Sequence, residues 1–248
     1  MILRFLILSD IHANWEALNA VLRDAAGRDY QAVLCLGDIV GYGPNPNEVT
    51  AWVRAYADVV IRGNHDKACS GATPFDSFNP SAQCSSRWTR QELLDDHRQW
   101  LLNLDRGPVL VESFDLVHGA PDDEDRYMFH EHEAEAGLRR ASESLTFFGH
   151  THVQGGFIGE RCWRGYEVSR LNACPDQMAI ISDRRYLLNP GAVGQPRDGD
   201  ARAAYCIYDS AMRVAEFCRV EYDIRTTQDK ILEAGLPEEL AFRLASGN

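Results

Sequence analysis

Residues able to hold a metal ion or move a proton recur where apolar runs stop. "SDIHAN" gives Asp10 and His12, and "LGDIVGYG" gives Asp38. "IRGNHD" gives Asn64, His65 and Asp66, "LVHGAP" gives His118, and "FFGHTHV" gives His150 and His152. Five of the eight histidines therefore close an apolar run beside a Gly, Asp or Asn, which chance placement explains poorly. Each piece alone is weak. Asp-x-His reads equally as a helix cap with a surface histidine, and Gly-Asp and Gly-Asn-His-Asp read as turns. Imidazole, carboxylate and amide oxygen together suit divalent metals such as Mn, Fe, Zn or Ni. Residues two apart on an extended chain point the same way, so His150 and His152, taken alone, ask for one common partner.

These residues need elements to carry them. "MILRFLILSD" predicts a buried strand over residues 2–8. Asn14 is placed to cap a helix in which Trp15, Leu18, Val21, Leu22 and Ala25 recur at helical spacing. "QAVLCLGD" is a second strand, "NEVTAWVRAYA" a second helix, and "DVVIRGNHD" a third strand ending in a polar loop. Alternation of this kind is the signature of a parallel sheet with crossover helices. Ligand sites of such sheets lie outside the carboxyl ends of the strands, where these polar residues fall. Residues 71–108, with three prolines and two expected helices, read as a helical cap inserted over the site. Beyond 108 the chain is strand-rich, with candidates at 109–113, 115–118, 145–149, 154–159, 178–182, 185–189, 203–208 and 213–220. "SDRR" and "DSAM" are expected hairpin turns, and two short helices close the chain. With no repeat or linker, residues 1–248 are expected to form one α/β domain with two sheets.

Composition narrows the classes. At 248 residues the chain can bury a sizeable core. Its 45% apolar and 25% charged residues are ordinary for a soluble protein. The start lacks the pattern of a signal peptide and no run could span a bilayer, so a cytoplasmic protein without membrane contact is expected. Seven cysteines with no Cys-x-x-Cys pair argue against a disulfide framework or a cysteine zinc site. Cys35, Cys206 and Cys218 are expected as small buried hydrophobes. A net charge of −12 is a poor footprint for gripping a nucleic-acid polymer.

Taken in order, Asp10–His12, Gly37–Gly41, Gly63–Asp66, His118 and Gly149–His152 resemble the motif set of the calcineurin-like metallophosphoesterase family. "NPGAVGQPRDGD" (189–200) is similar to a downstream segment of bacterial members. The resemblance implies a four-layer α-β-β-α sandwich with two mixed sheets. It also implies two divalent metal ions as cofactors. One ion would take Asp10, His12, Asp38 and His152, and the other Asp38, Asn64, His118 and His150. An anionic bridge eases repulsion between ions about 3.5–4 Å apart, and Asp38 has that chemistry.

The implied reaction is hydrolysis of a small phosphodiester or phosphomonoester, nucleotides included, by a metal-bridging hydroxide. His65 resembles the family's non-ligand histidine, which stabilises the transition state or protonates the leaving group, and Asp66 is expected to orient it. Asn14 and Arg197 are candidate phosphate contacts. Tyr42, Phe78 and Trp88 are candidates for pocket lining or for packing, and His97, His130 and His132 are assigned to solvent or loops. "GDIVGYG" and "GNHD" depart from phosphoprotein phosphatases, which carry Asp-Arg-Gly after Gly-Asp and Glu after Asn-His. The alternatives are a catalytically inactive metal-binding scaffold and a nuclease. Oligomeric state leaves no mark in the sequence.

Overall fold

The structure, a computed structural model, describes residues 4–171 and 175–248, so the expected strand at residues 2 and 3, and Cys174, lie outside the described residues. Strand β1 (Arg4–Leu8) sets the architecture. Phe5 and Ile7 point to one face, Leu6 and Leu8 to the other, and all four are buried. A strand apolar on both faces needs cover on both. Helix α1 (Trp15–Ala25) supplies one cover, as Leu18 and Val21 pack with Leu6 and Leu8. A second sheet supplies the other, as Phe114 and Phe147 pack with Phe5 and Ile7.

Strand β1 pairs in parallel with β2 (Ala32–Cys35), and β2 with β3 (Val59–Val60); α1 and α2 (Pro46–Tyr56) are the crossovers. After β3 come α3 (Asn64–Ser70), α4 (Pro80–Glu92) and α5 (Asp95–Leu102). Strands β4 (Val109–Val111), β5 (Phe114–Leu116) and β6 (Leu145–Phe147) follow, with α6 (Glu131–Arg140) between the last two. The chain continues with β7 (Gly155–Cys162), β8 (Gly165–Arg170), β9 (Gln177–Ala179), β10 (Arg184–Asn189), β11 (Ala203–Asp209) and β12 (Val214–Val220). It closes with α7 (Ile224–Glu233), α8 (Glu238–Phe242) and a 3-10 turn at Arg243–Ala245.

The first sheet has the order β3-β2-β1-β11-β12-β9 and the second β4-β5-β6-β10-β7-β8. Strands β5, β6 and β10 run parallel in the second, while β1 meets β11 antiparallel in the first, so both sheets are mixed. Helix α6 closes the far side, with Ala134 and Leu138 against Phe148, Phe157 and Leu187. The layers are therefore helix, sheet, sheet, helix, the four-layer sandwich the motifs imply. No helix among the described residues is long and apolar enough to cross a membrane.

Several local expectations give way. The "SDRR" segment is not a hairpin turn, because β9 pairs with β12 and β10 belongs to the other sheet. The "DSAM" segment does join the antiparallel pair β11 and β12. Helix α6 went unread because Ala134, Gly137 and Leu138 alone make its buried face, too thin a stripe in a charged stretch. The polar loop at "GNHD" is the first turn of α3. Residues 71–108 carry α4 and α5, which pack on α2 and α3. The C-terminal helices meet them, with Ile231, Leu236, Leu240 and Leu244 clustering with Tyr42 and Ala82, and Phe78 and Trp88 at the edge. His97 is buried rather than solvent-facing, with Nδ1 3.1 Å from Asn47 Oδ1. Cys35, Cys206 and Cys218 are buried as expected.

The seam between the sheets depends on Phe114, fully buried and edge-on to Phe5, Phe147 and Tyr208. Phe114→Ala should destabilise the fold by about 3–5 kcal/mol in urea titration. A loss below about 1 kcal/mol would show that the seam does not depend on this ring.

Candidate metal centre

The carboxyl ends of β1, β2, β5 and β6 converge on one rim. Asp10 and His12 follow β1, Asp38 follows β2, His118 follows β5, and His150 and His152 follow β6. Asn64 and His65 open α3. Asp10, His12, Asp38, His118, His150 and His152 are all at most 3% exposed. Their donor atoms fall into two groups: Asp10, His12, Asp38 and His152, and Asp38, His118 and His150. Asp38 belongs to both. Its Oδ2 lies 3.6 Å from His12 Nε2 and 3.4 Å from His118 Nε2. Its Oδ1 accepts the backbone N–H of His65 at 2.8 Å. Asn64 Oδ1 lies 3.3 Å from His118 Nε2, beside the second group.

Backbone carbonyls fix the imidazoles. His12 Nδ1 faces Val40 O at 3.1 Å, His118 Nδ1 faces Leu36 O at 2.7 Å, and His152 Nδ1 faces Gln195 O at 2.6 Å. A carbonyl only accepts, so each Nδ1 carries hydrogen and each Nε2 can present its lone pair. His12 Nε2 and His152 Nε2 then face each other at 3.1 Å, and His152 Nε2 lies 3.3 Å from Asp10 Oδ1. Lone pairs and buried carboxylates turned on one another repel unless a cation or proton sits among them. The donor set fits two divalent ions of borderline character.

The backbone is bent to achieve this. Asp10, His12, Ala13, Asp38, Tyr42, His150 and His152 all adopt positive φ, between 48° and 65°. Left-handed residues other than glycine are uncommon and cluster at functional sites. The bend also explains the histidine pair: with φ of 65° and 59°, His150 and His152 are not on extended chain. Their imidazoles part, one to each donor group. Gly149 precedes them because a Cβ there would strike Ser9 Oγ and Asp10 Oδ2. Close approach, rather than a turn, requires that glycine.

Titration follows from burial and neighbours. Burial alone would raise the pKa of Asp10, but His152 and His118 together overcome it and hold the carboxyl well below the usual range. Burial is likewise overcome at Asp38 by His118, His65 and His12. Burial pushes His12 down, and pushes His65 down to about 4 and His150 to about 3. His118 goes the other way: Asp38 overrides burial and lifts it to about 10. Burial and then the Asp38 charge raise Asp66 to about 7.

The remaining expected residues divide. Asp66 does not orient His65 through a hydrogen bond. Its carboxylate accepts the backbone N–H groups of Gly63, Ile39 and Val40, at 2.9, 2.9 and 3.2 Å, tying α3 to the loop after β2. His65 instead has Nδ1 3.5 Å from Ser86 Oγ on α4, and its ring lies against Tyr42 and Phe78. Asn14 caps α1 through Ala17 N, donates to Gly194 O and accepts from Thr227, which commits it to the fold rather than to a phosphate. Arg197 donates to Gln195 Oε1, lies 5.5 Å over the Tyr42 ring, and keeps a buried Nε without a protein partner. Sequence reasoning missed Asp125, whose carbonyl meets His150, and Tyr127, which stacks on it. Neither sits at the end of an apolar run, the signal that exposed the others.

A model of the calcineurin-like phosphoesterase superfamily domain matches residues 3–212. An uncharacterised protein of Methanocaldococcus jannaschii is 35% identical over 97% of both chains. A solved metallophosphoesterase from Sphaerobacter thermophilus is 41% identical over 99% of both chains, with a TM-score of 0.86. A hypothetical protein from Pyrococcus horikoshii shares the fold at 21% identity, with a TM-score of 0.76 over 99% of this chain and 98% of its own.

Three measurements test the centre. In elemental analysis, His150→Ala should lose one ion, His152→Ala the other, and Asp38→Ala both. If both histidine variants emptied the same site, the two-group division would be wrong. Uptake of an ion beside His118 must expel its proton. Manganese affinity should therefore rise with pH between 6.5 and 9, by up to about tenfold per unit. The metal-free protein should lose this histidine's contribution to stability as pH climbs from 6.5 through about 10, because the folded pKa lies above the ordinary one. A flat affinity profile across that range would remove the His118 proton from the binding equilibrium.

Proposed function

Because the chain belongs to the calcineurin-like phosphoesterase superfamily, we propose that it hydrolyses a small phosphodiester or phosphomonoester with two bound divalent ions. The observation that carries this reading is the sharing of Asp38 between two donor groups whose lone pairs converge. Asp10, His12, Asp38 and His152 hold one ion; Asp38, Asn64, His118 and His150 hold the other. When bound, such ions supply positive charge for a phosphate and a water acidified enough to ionise near neutral pH.

The protein's own groups do the rest. The His65 amide holds Asp38 Oδ1, which leaves Oδ2 between the two histidines. The His65 ring is gripped by Tyr42 and Phe78, with Nδ1 toward Ser86, which leaves Nε2 to meet the phosphate or the leaving oxygen. Arg197, its Nε unpartnered, offers a cation to the phosphate oxygens. Deep burial of the ligands and a net charge of −12 favour a compact phosphoester over a nucleic-acid polymer.

A panel of aryl monophosphate, bis-aryl phosphate, cyclic nucleotides and dinucleoside polyphosphates on manganese-loaded protein tests the reading. Hydrolysis of at least one ester, lost in Asp38→Ala, is expected. Loaded metal with no activity on any of them would favour a binding scaffold instead. His65→Ala should keep both ions yet lose about 10²–10⁴-fold in turnover. Unchanged turnover in that variant would take His65 out of the mechanism.

A further inference from the structure

His150 is held differently from the other histidines. Its Nε2, not its Nδ1, meets a backbone carbonyl, that of Asp125 at 3.1 Å. The hydrogen is therefore on Nε2, and Nδ1 is the nitrogen left for an ion. Tyr127 lies on the same imidazole, with ring centroids 3.7 Å apart and planes 14° apart. Both holding groups belong to one loop, in which Asp122, Asp123, Glu124 and Asp125 are consecutive. Four adjacent acids repel one another and favour an open, solvated loop unless cations pin it.

Lys67 of α3 pins it. This lysine is 6% exposed, with Nζ 2.7 Å from each Asp125 oxygen and 3.0 Å from Glu124 Oε1. Arg62 grips Glu124 through two bonds, at 3.0 and 2.9 Å. The Asp125 side chain is 55% exposed, while the Lys67 ammonium it answers is buried and is shared with Glu124. What the pair fixes is the position of the Asp125 carbonyl.

We propose that Lys67 is a positioning residue for the metal centre: through Asp125 it sets the tautomer and orientation of His150. The inference rests on the two-ion reading above. It ties the second ion to the helix that carries His65, so that His65 and His150 are both referenced to α3.

The test compares Lys67→Met, Lys67→Arg and the unaltered protein by manganese titration and by long-range ¹H–¹⁵N spectra of the metal-free histidines. In Lys67→Met one of the two affinities should fall roughly 10–100-fold while the other holds. The His150 signal should also shift from a pure Nε2–H form to a mixture. Lys67→Arg should restore most of both. Equal weakening of both ions, two unchanged affinities, or an unshifted His150 signal would overturn the proposal. Asp125→Ala, which removes only a half-exposed carboxylate, should change both readouts in the same direction and guards against misfolding of Lys67→Met. If the unaltered protein bound none of manganese, iron, zinc or nickel, the two-ion reading would fall, and the His150 spectrum alone would decide whether Lys67 positions the ring.

Discussion

One buried oxygen organises the rim of this protein. Asp38 Oδ2 lies between two imidazole nitrogens that come from different sheets, His12 after β1 and His118 after β5. A carboxylate that is 1% exposed is tolerable only if charge or hydrogen bonding answers it on every side. Oδ1 is answered by the His65 amide, which fixes where α3 must begin. The remaining donors fall into place around that point. The sandwich is thus registered at its rim as well as at its core: the sheets must meet so that β1, β2, β5 and β6 all end within reach of one oxygen.

The arrangement costs the backbone. Seven residues of the rim take left-handed conformations, each worth roughly 1–3 kcal/mol of strain. Such conformations persist where the surroundings leave no alternative. Here the chain on either side is held by ladders, with Ile7 paired to Leu34 and Cys206, and by rim bonds such as Asp10 N to Gly37 O and His12 N to Asp38 O. Asn189 adds a strut from β10, donating to Gly149 O and Thr151 Oγ1. The rigid sheets keep the bent segments in place, and the bent segments aim the donors.

Much of this was legible in the sequence, for a physical reason. Apolar runs that stop abruptly at Asp, Asn or His expose both the strand and its functional end, so β1, β2, β5 and β6 and their terminal residues could be read together. Conformation at those ends could not. The spacing of His150 and His152 argued for one side and one partner, and positive φ at both undid the argument. Asp66 has the right chemistry to orient His65, yet three backbone donors claim it, and no local pattern announces such tertiary bonds. Helix α6 had a capping glutamate, Glu133 on the Phe129 and His130 amides, that could have revealed it where its apolar face did not. Edge strand β8, largely exposed, has no inward alternation to read.

The split origin of the donors has a mechanical consequence. In each donor group, residues from the first sheet sit opposite residues from the second: Asp10, His12 and Asp38 face His152, and Asp38 faces His118 and His150. An ion in either place would act as a rivet through the sandwich at its open end. Parting the sheets would mean breaking coordination bonds, so the ease of shearing the two halves apart would be set by the free metal concentration around the protein.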